Sequence, residues 1–223
     1  VVGVVFFIWY PSPLAKAVNV THIFLMMLMI DVIIGPVLGL LVYKDGKKTL
    51  KFDLAVIILI QLSALCYGVY SIAQGRPVWI VYSIDRFELI KNNEIIDQDI
   101  QKAQLEYQHP SWLGPQLVAM QLSLNGEQRN KEMFNEVFSG ISLAQHPERY
   151  VNLNSVTAQI QQRVEKLELL SHYNDPVMVK EILTKYPQAN SFVPLKANTI
   201  DMTVLINKEK GEVVKIVDLR PWK

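Results

Sequence analysis

Two long apolar runs constrain this chain more than any other feature. Past His22 the sequence reads IFLMMLMIDVIIGPVLGLLVY as far as Tyr43, and from Leu54 it reads LAVIILIQLSALCYGVYSIA up to Gln74. Crossing the hydrocarbon core of a bilayer takes roughly 20 apolar helical residues, and each run has that length without Lys or Arg. The chain therefore reads as a membrane protein. Asp31 interrupts the first run near its middle, where a carboxylate is unfavourable by about 2.5 to 3.5 kcal/mol, so it requires a partner within the membrane.

The first ten residues, VVGVVFFIWY, are apolar but too short to span, and they end on Trp9-Tyr10-Pro11. Aromatic residues of this kind suit an interfacial helix end, so 1–10 reads as the outer end of a truncated first transmembrane helix. The second then covers 22–43, a loop 44–53, and the third 54–74, giving a membrane region of 1–75 and an exported domain of 76–223. The loop holds Lys44, Lys47, Lys48 and Lys51 beside Asp45 and Asp53, whereas the stretch from Pro11 to Thr21 holds only Lys16. An excess of lysine marks the cytoplasmic side, which places everything after Gln74 across the membrane from that loop.

Taken as antiparallel neighbours, the two long helices bring to equal depth residues whose numbers sum to about 97. Asp31 is then level with Cys66 and within about a turn of Ser63, Tyr67 and Tyr70. Two readings stay open. In one, Asp31 is buried in the hairpin, protonated and hydrogen-bonded to these groups. In the other, Asp31 faces a helix of another protein, with Gln61 as its companion. Gly35, Pro36 and Gly39 thin and kink that stretch, so another backbone has room to approach.

The residues from Arg76 onward include 17 basic and 18 acidic side chains, which leaves no basic footprint for nucleic acid. The single cysteine, Cys66, lies in the third apolar run, so the exported part has no disulfide, and His109, His146 and His172 lack metal-ligand spacing. No phosphate-binding glycine loop, zinc-protease helix, nucleophile elbow or reactive cysteine occurs there. No catalytic residue, metal ligand or cofactor is expected.

Local patterns predict an α+β domain on an antiparallel sheet. Arg76-Pro77 leads into PVWIVYS and DRFELIK, a strand pair turning at Ile84 and Asp85. Ile96, Ile100, Ala103 and Tyr107 have helical spacing, and QLVAMQLSL reads as a strand. Asn125 and Gln128 suggest a capping box for a helix whose Met133, Phe134, Val137 and Phe138 would face the core before Gly140 ends it. A longer helix is expected from Ser155, with Val156, Ile160, Val164, Leu167 and Leu170 on one face, and another begins at Asp175-Pro176. IDMTVLIN and EVVKIVDL form a closing hairpin around Gly211.

The stretch IDVIIGPVLGLLVYKDGKKTLKFDLAVI, followed by QLSALCYGVYSIAQGRPVW, resembles the type IV pilin accessory proteins of the TfpX/TfpZ group. The likeness continues through Leu113-Gly114-Pro115, His146-Pro147-Glu148-Arg149-Tyr150, Val193-Pro194-Leu195 and Arg220-Pro221-Trp222. It implies a protein of the inner membrane of a Gram-negative bacterium, with a periplasmic domain, that assists the major pilin in pilus assembly or dynamics in a chaperone-like, non-catalytic way. The positions carried over are Asp31, Gly35, Pro36 and Gln61 for contact with the pilin helix, Lys47, Lys48 and Asp53 in the cytoplasmic loop, and Arg76 and Pro77 at the domain junction. Expected partners are the major pilin, the inner-membrane assembly machinery and membrane lipid. The rival reading is a membrane-anchored sensor or transport-associated protein whose exported domain binds a ligand.

Overall fold

A computed structural model describes residues 1–222 except 44–48, 123–124, 128–129, 131–133, 135, 137 and 139, and describes Asp31 by its backbone alone. The N-terminal stretch is helical from Val2 to Trp9, with the wider π-type winding over Val4–Trp9. After a one-turn helix α1 (Leu14–Ala17) come α2 (Val20–Val42) and α3 (Leu50–Gln74). Both long helices present apolar side chains outward: none of the apolar window of α2 and 6% of that of α3 is buried. A soluble protein does not leave so much hydrocarbon in water, and the pair has the length and composition to cross a membrane. Three spanning helices were expected, the first truncated. Two have that length among the described residues, because the eight helical residues of Val2–Trp9 are too few.

β1 (Pro77–Ser83) leaves α3 after two residues and turns at Ile84, which has φ of 59°, into β2 (Arg86–Lys91). The remaining strands are β3 (Gln116–Met120), β4 (Tyr150–Val151), β5 (Glu165–Lys166), β6 (Ser191–Lys196), β7 (Met202–Asn207) and β8 (Glu212–Val217). Their order in the sheet is β4-β3-β1-β2-β6-β7-β8, with β5 pairing on β6. The expected antiparallel sheet is instead mixed. β3 runs parallel to β1, with Gln116 opposite Trp79, and β6 runs parallel to β2. For β3 the reason lies in the connection from 92 to 115. It leaves β2 at the end of the sheet nearest the helices and re-enters beside β1 at the same end, where β1 also starts.

Alternation along the strands divides the core between two faces. On one face Ile80, Phe87, Val193, Leu195, Met202, Val204 and Ile206 pack with Ile160 of α4 (Thr157–Arg163). Leu14 and Ala17 of α1 complete that cluster, 3% and 0% exposed. The Ala17 carbonyl also accepts hydrogen bonds from the backbone N–H groups of Thr199 and Ile200, both at 3.1 Å. On the other face Trp79, Val81, Val118 and Tyr150 pack with Ala103, Tyr107, Leu143 and Ala144. Further along that face Phe192, Leu205 and Val217 pack with Leu170 and with Val179 of α5 (Pro176–Thr184). β1 is buried along its whole length, as a central strand covered on both sides must be.

Three expectations about helices fail. The stretch holding Ile96, Ile100, Ala103 and Tyr107 forms two short 3-10 turns, Ile100–Lys102 and Leu105–Tyr107, although Ala103 and Tyr107 do reach the core. The helix expected from Ser155 ends at Val164, so Ile160 and Leu170 serve opposite faces of the sheet. Phe134 and Phe138 stack on each other at 4.3 Å between ring centroids but are 61% and 74% exposed, rather than in the core. Met133, Val137 and Gln128 lie outside the described residues. Asn125 does cap this segment, accepting from the Glu127 N–H at 3.0 Å, and Gly140 closes it with φ of 70°.

Candidate membrane docking site

Contacts within the hairpin follow from small residues on α2 and α3. A Cβ added at Gly35 would overlap the Gln61 carboxamide, and one at Gly68 would overlap the Met27 thioether. These two pairs of numbers sum to 96 and 95, within two residues of the 97 expected from helical rise. Gln61 is therefore turned into the hairpin, onto Gly35. Met27 and Gly35, eight residues apart, thus lie on the stripe of α2 that meets α3. The Ser63 hydroxyl donates to the Leu59 carbonyl at 2.8 Å, on its own helix. Tyr67 and Tyr70 are exposed on the hairpin surface. Pro36 sits inside α2, and Gly39 has open space beside it.

Where the hairpin meets the domain, an open groove of about 370 Å³ runs from apolar to polar. Ile23, Met27, Gly68 and Ile72 line it from the helices, and Lys91 and Asn93 line it from the domain. Lys91 is held by Glu94 at 3.1 Å. A groove graded in this way suits an apolar helix or chain that emerges from the membrane into water.

Beside the groove, Arg76 and Pro77 tie α3 to β1. Arg76 is 3% exposed; its Nη1 donates to the Ala73 carbonyl at 2.7 Å, and its guanidinium lies 4.0 Å from the centre of the Trp112 ring. Burial lowers the Arg76 pKa from its ordinary value, opposed by the nearby Tyr10 phenol. Tyr10 donates to the Ile72 carbonyl at 2.7 Å, and Asn92 donates to Gln74 at 2.7 Å. At the far end of the hairpin, Asp53 lies in the first turn of α3 and accepts from Thr49 Oγ1 at 3.0 Å. Lys51 is exposed, and Lys44, Lys47 and Lys48 lie outside the described residues.

The domain's own surface includes a polar groove of about 710 Å³ lined in part by Gln104, Gln121, Asn152, Gln159, Gln162 and Arg163. Apolar side chains of Ile84, Met120, Leu122, Val151 and Val156 share the lining with these amides, which can hydrogen-bond but neither attack nor exchange protons at neutral pH. It is the feature on which the ligand-binding reading rests. Elsewhere Glu88, 8% exposed, accepts from Ser142 Oγ at 2.7 Å. Burial, then the charge of Glu88, raises the pKa of Glu136 above the ordinary carboxylate range.

The structure brings Gly35 and Gln61 together and sets Arg76 and Pro77 at the junction. It also reveals partners not singled out from the sequence. Leu14 and Ala17 belong to the domain core, and Trp112 covers Arg76. The signal for Trp112 was its setting between Pro110 and Pro115, an aromatic residue in a constrained loop.

No family model and no solved structure matches the chain. Among curated proteins, it is 29% identical over 215 residues to the fimbrial assembly protein of serogroup I of Dichelobacter nodosus, covering 92% of this chain and 83% of that protein. The serogroup E1 protein of the same organism gives 28% identity over the same coverage. The fimbrial assembly protein of serogroups C1 and C2 is 34% identical over 103 residues, 45% of this chain and 79% of that protein.

Proposed function

The chain belongs to the fimbrial assembly protein family, and on that footing we propose that it is a membrane-anchored accessory protein of type IV pilus assembly, close to the TfpX/TfpZ group. The observation that carries this reading is similarity over 92% of the chain, spanning both the apolar hairpin and the following domain. A relative sharing only the spans would speak for a common anchor; one sharing both parts speaks for a common task.

In this reading α2 and α3 cross the inner membrane, the loop between them faces the cytoplasm, and the domain stands in the periplasm. The partner is the major pilin before assembly, an apolar helix carrying a periplasmic head. The pilin helix docks along the hairpin near Pro36 and Gly39 and leaves through the graded groove, while the head rests on the exported domain. No chemistry is assigned to the protein. Gln61, turned onto Gly35, supports the hairpin from within; a polar contact from Asp31 to the pilin helix is part of the same proposal.

The test is a photo-crosslinking amino acid placed at Gly39, Ile23 or Gln61 in cells that make pilin. Adducts with pilin are expected from Gly39 and Ile23, and weaker ones from Gln61. Normal accumulation of the protein with no pilin adduct at any of these positions would overturn the reading, as would normal piliation in cells lacking the protein.

A further inference from the structure

We propose that the loop 111–114 and Phe7 form a second contact with the bilayer, a collar seated in the headgroup layer on the domain side. The proposal rests on the reading that α2 and α3 cross the membrane, and adds a surface outside those spans.

The collar's height is fixed by the chain itself. Arg76 stands two residues past the end of α3, and Trp112 lies against its guanidinium at 4.0 Å. Trp112 also meets Trp9 at 6.0 Å between ring centroids. Gly114, with φ of 112°, comes so near the N-terminal helix that a Cβ there would sit 2.9 Å from the Ile8 carbonyl oxygen. The loop is thus fastened to the chain at both Ile8–Trp9 and Arg76, at the level where α3 emerges. Sheet geometry agrees: β3 begins at Gln116, directly after the loop and opposite Trp79 near the start of β1.

What this loop presents outward is apolar. Trp112 is 60% exposed, Leu113 85% and Phe7 81%. Leu113 stands on a short, constrained loop between Pro110 and Pro115, where a polar residue would serve if water were the neighbour. A tryptophan with its polar edge available and its ring body apolar suits the headgroup layer, and an adjacent leucine suits the upper acyl region. The occupant is phospholipid rather than a protein, because Trp112 lies against Arg76, two residues past the end of α3, where that helix leaves the bilayer. Such seating would hold the domain at a fixed tilt on the membrane and keep the graded groove open toward the bilayer.

The experiment uses the full chain reconstituted in phosphatidylethanolamine and phosphatidylglycerol vesicles, with one environment-sensitive NBD label per molecule. Three positions are compared: the native Cys66 within α3, and Leu113→Cys and Asp85→Cys, each in a Cys66→Ser background. Asp85 is at the tip of the β1–β2 hairpin, about 20 Å of strand from Pro77. At 113 the expected result is blue-shifted emission, quenching by lipid nitroxides placed near the headgroup, and several-fold less iodide quenching than at 85. With Cys66 shielded from iodide, equal iodide quenching at 113 and 85 overturns the collar and leaves the spans standing. Shielding at 113 without nitroxide quenching also overturns it, in favour of a protein cover. Iodide quenching at Cys66 itself would defeat the spanning reading and the collar with it.

Discussion

The segment between the N-terminal helix and α2 makes the C-terminal domain depend on the N-terminal helical region for its own stability. Leu14 is 3% exposed in the cluster formed by Ile80, Phe87, Val204 and Ile206, so Leu14→Ala removes a buried side chain from a site framed by sheet. Such truncations destabilise by about 2 to 5 kcal/mol, and a sheet-lined site collapses poorly, which favours about 3 kcal/mol. For a folding unit of this size that corresponds to a fall in Tm of roughly 6 to 12 °C. Cutting the chain at Arg76 goes further. It removes Leu14 and Ala17 and the carbonyl that accepts from Thr199 and Ile200, together about 4 to 6 kcal/mol by area burial and net hydrogen bonding. That approaches the whole stability of a typical domain, about 5 to 15 kcal/mol. The assay is near-UV circular dichroism against temperature for the full chain in detergent, the Leu14→Ala variant, and the isolated residues 76–223. A cooperative transition of 76–223 within a few degrees of the full chain would refute the reasoning, because α1 would then be packed on the domain without supporting it.

Two further outcomes follow from the hairpin and from the buried acids. Gly35→Ala should lower hairpin stability by displacing the Gln61 side chain, and Gln61→Ala in the same molecule should restore most of the loss; additive losses in a denaturation series in micelles would refute the contact. Glu136 has a raised pKa in the folded protein, so folding favours its protonated form, and its contribution to stability falls as pH rises through and above the ordinary carboxylate range. Glu136→Gln removes that fall: its Tm advantage over the parent should be near zero at about pH 4 and grow toward pH 7, and a constant difference across that range would count against the assignment.

The elements legible in the sequence are those whose signals are local. Asp175 before Pro176 starts α5 as its residue types require, with the Asp175 carboxylate accepting from the Val177 N–H at 2.7 Å. Gly211, with φ of 68°, closes the β7–β8 hairpin. The failures share one cause, apolar spacing that suits a helix but serves something else. From Val156 to Leu170 the spacing is helical throughout, yet the chain breaks at Val164, and Glu165–Lys166 pairs with Ser191 and Phe192. The break lets Ile160 fill one face of the sheet and Leu170 the other. The same spacing at Ile100, Ala103 and Tyr107 is met by turns, since two buried side chains on a sheet face need no continuous helix.

Legibility of the site divides along the same line. The depth relation inside the hairpin follows from rise per residue and loop length alone, so Gly35 and Gln61 fall within about a residue of their expected level. Which stripe of α2 meets α3 does not follow from depth, and only the Met27 and Gly35 contacts identify it. The junction is less legible still. Arg76 and Trp112 lie 36 positions apart, and their contact depends on β3 re-entering the sheet beside β1, a matter of topology with no local signature. That topology brings together the end of α3, the N-terminal helix and the start of β3, while α1 is embedded in the core on the opposite face. A domain held at so many points to the N-terminal helices cannot swing freely on Gln74. Under the proposed function, a partner helix leaving the membrane along the groove would meet the domain in one orientation.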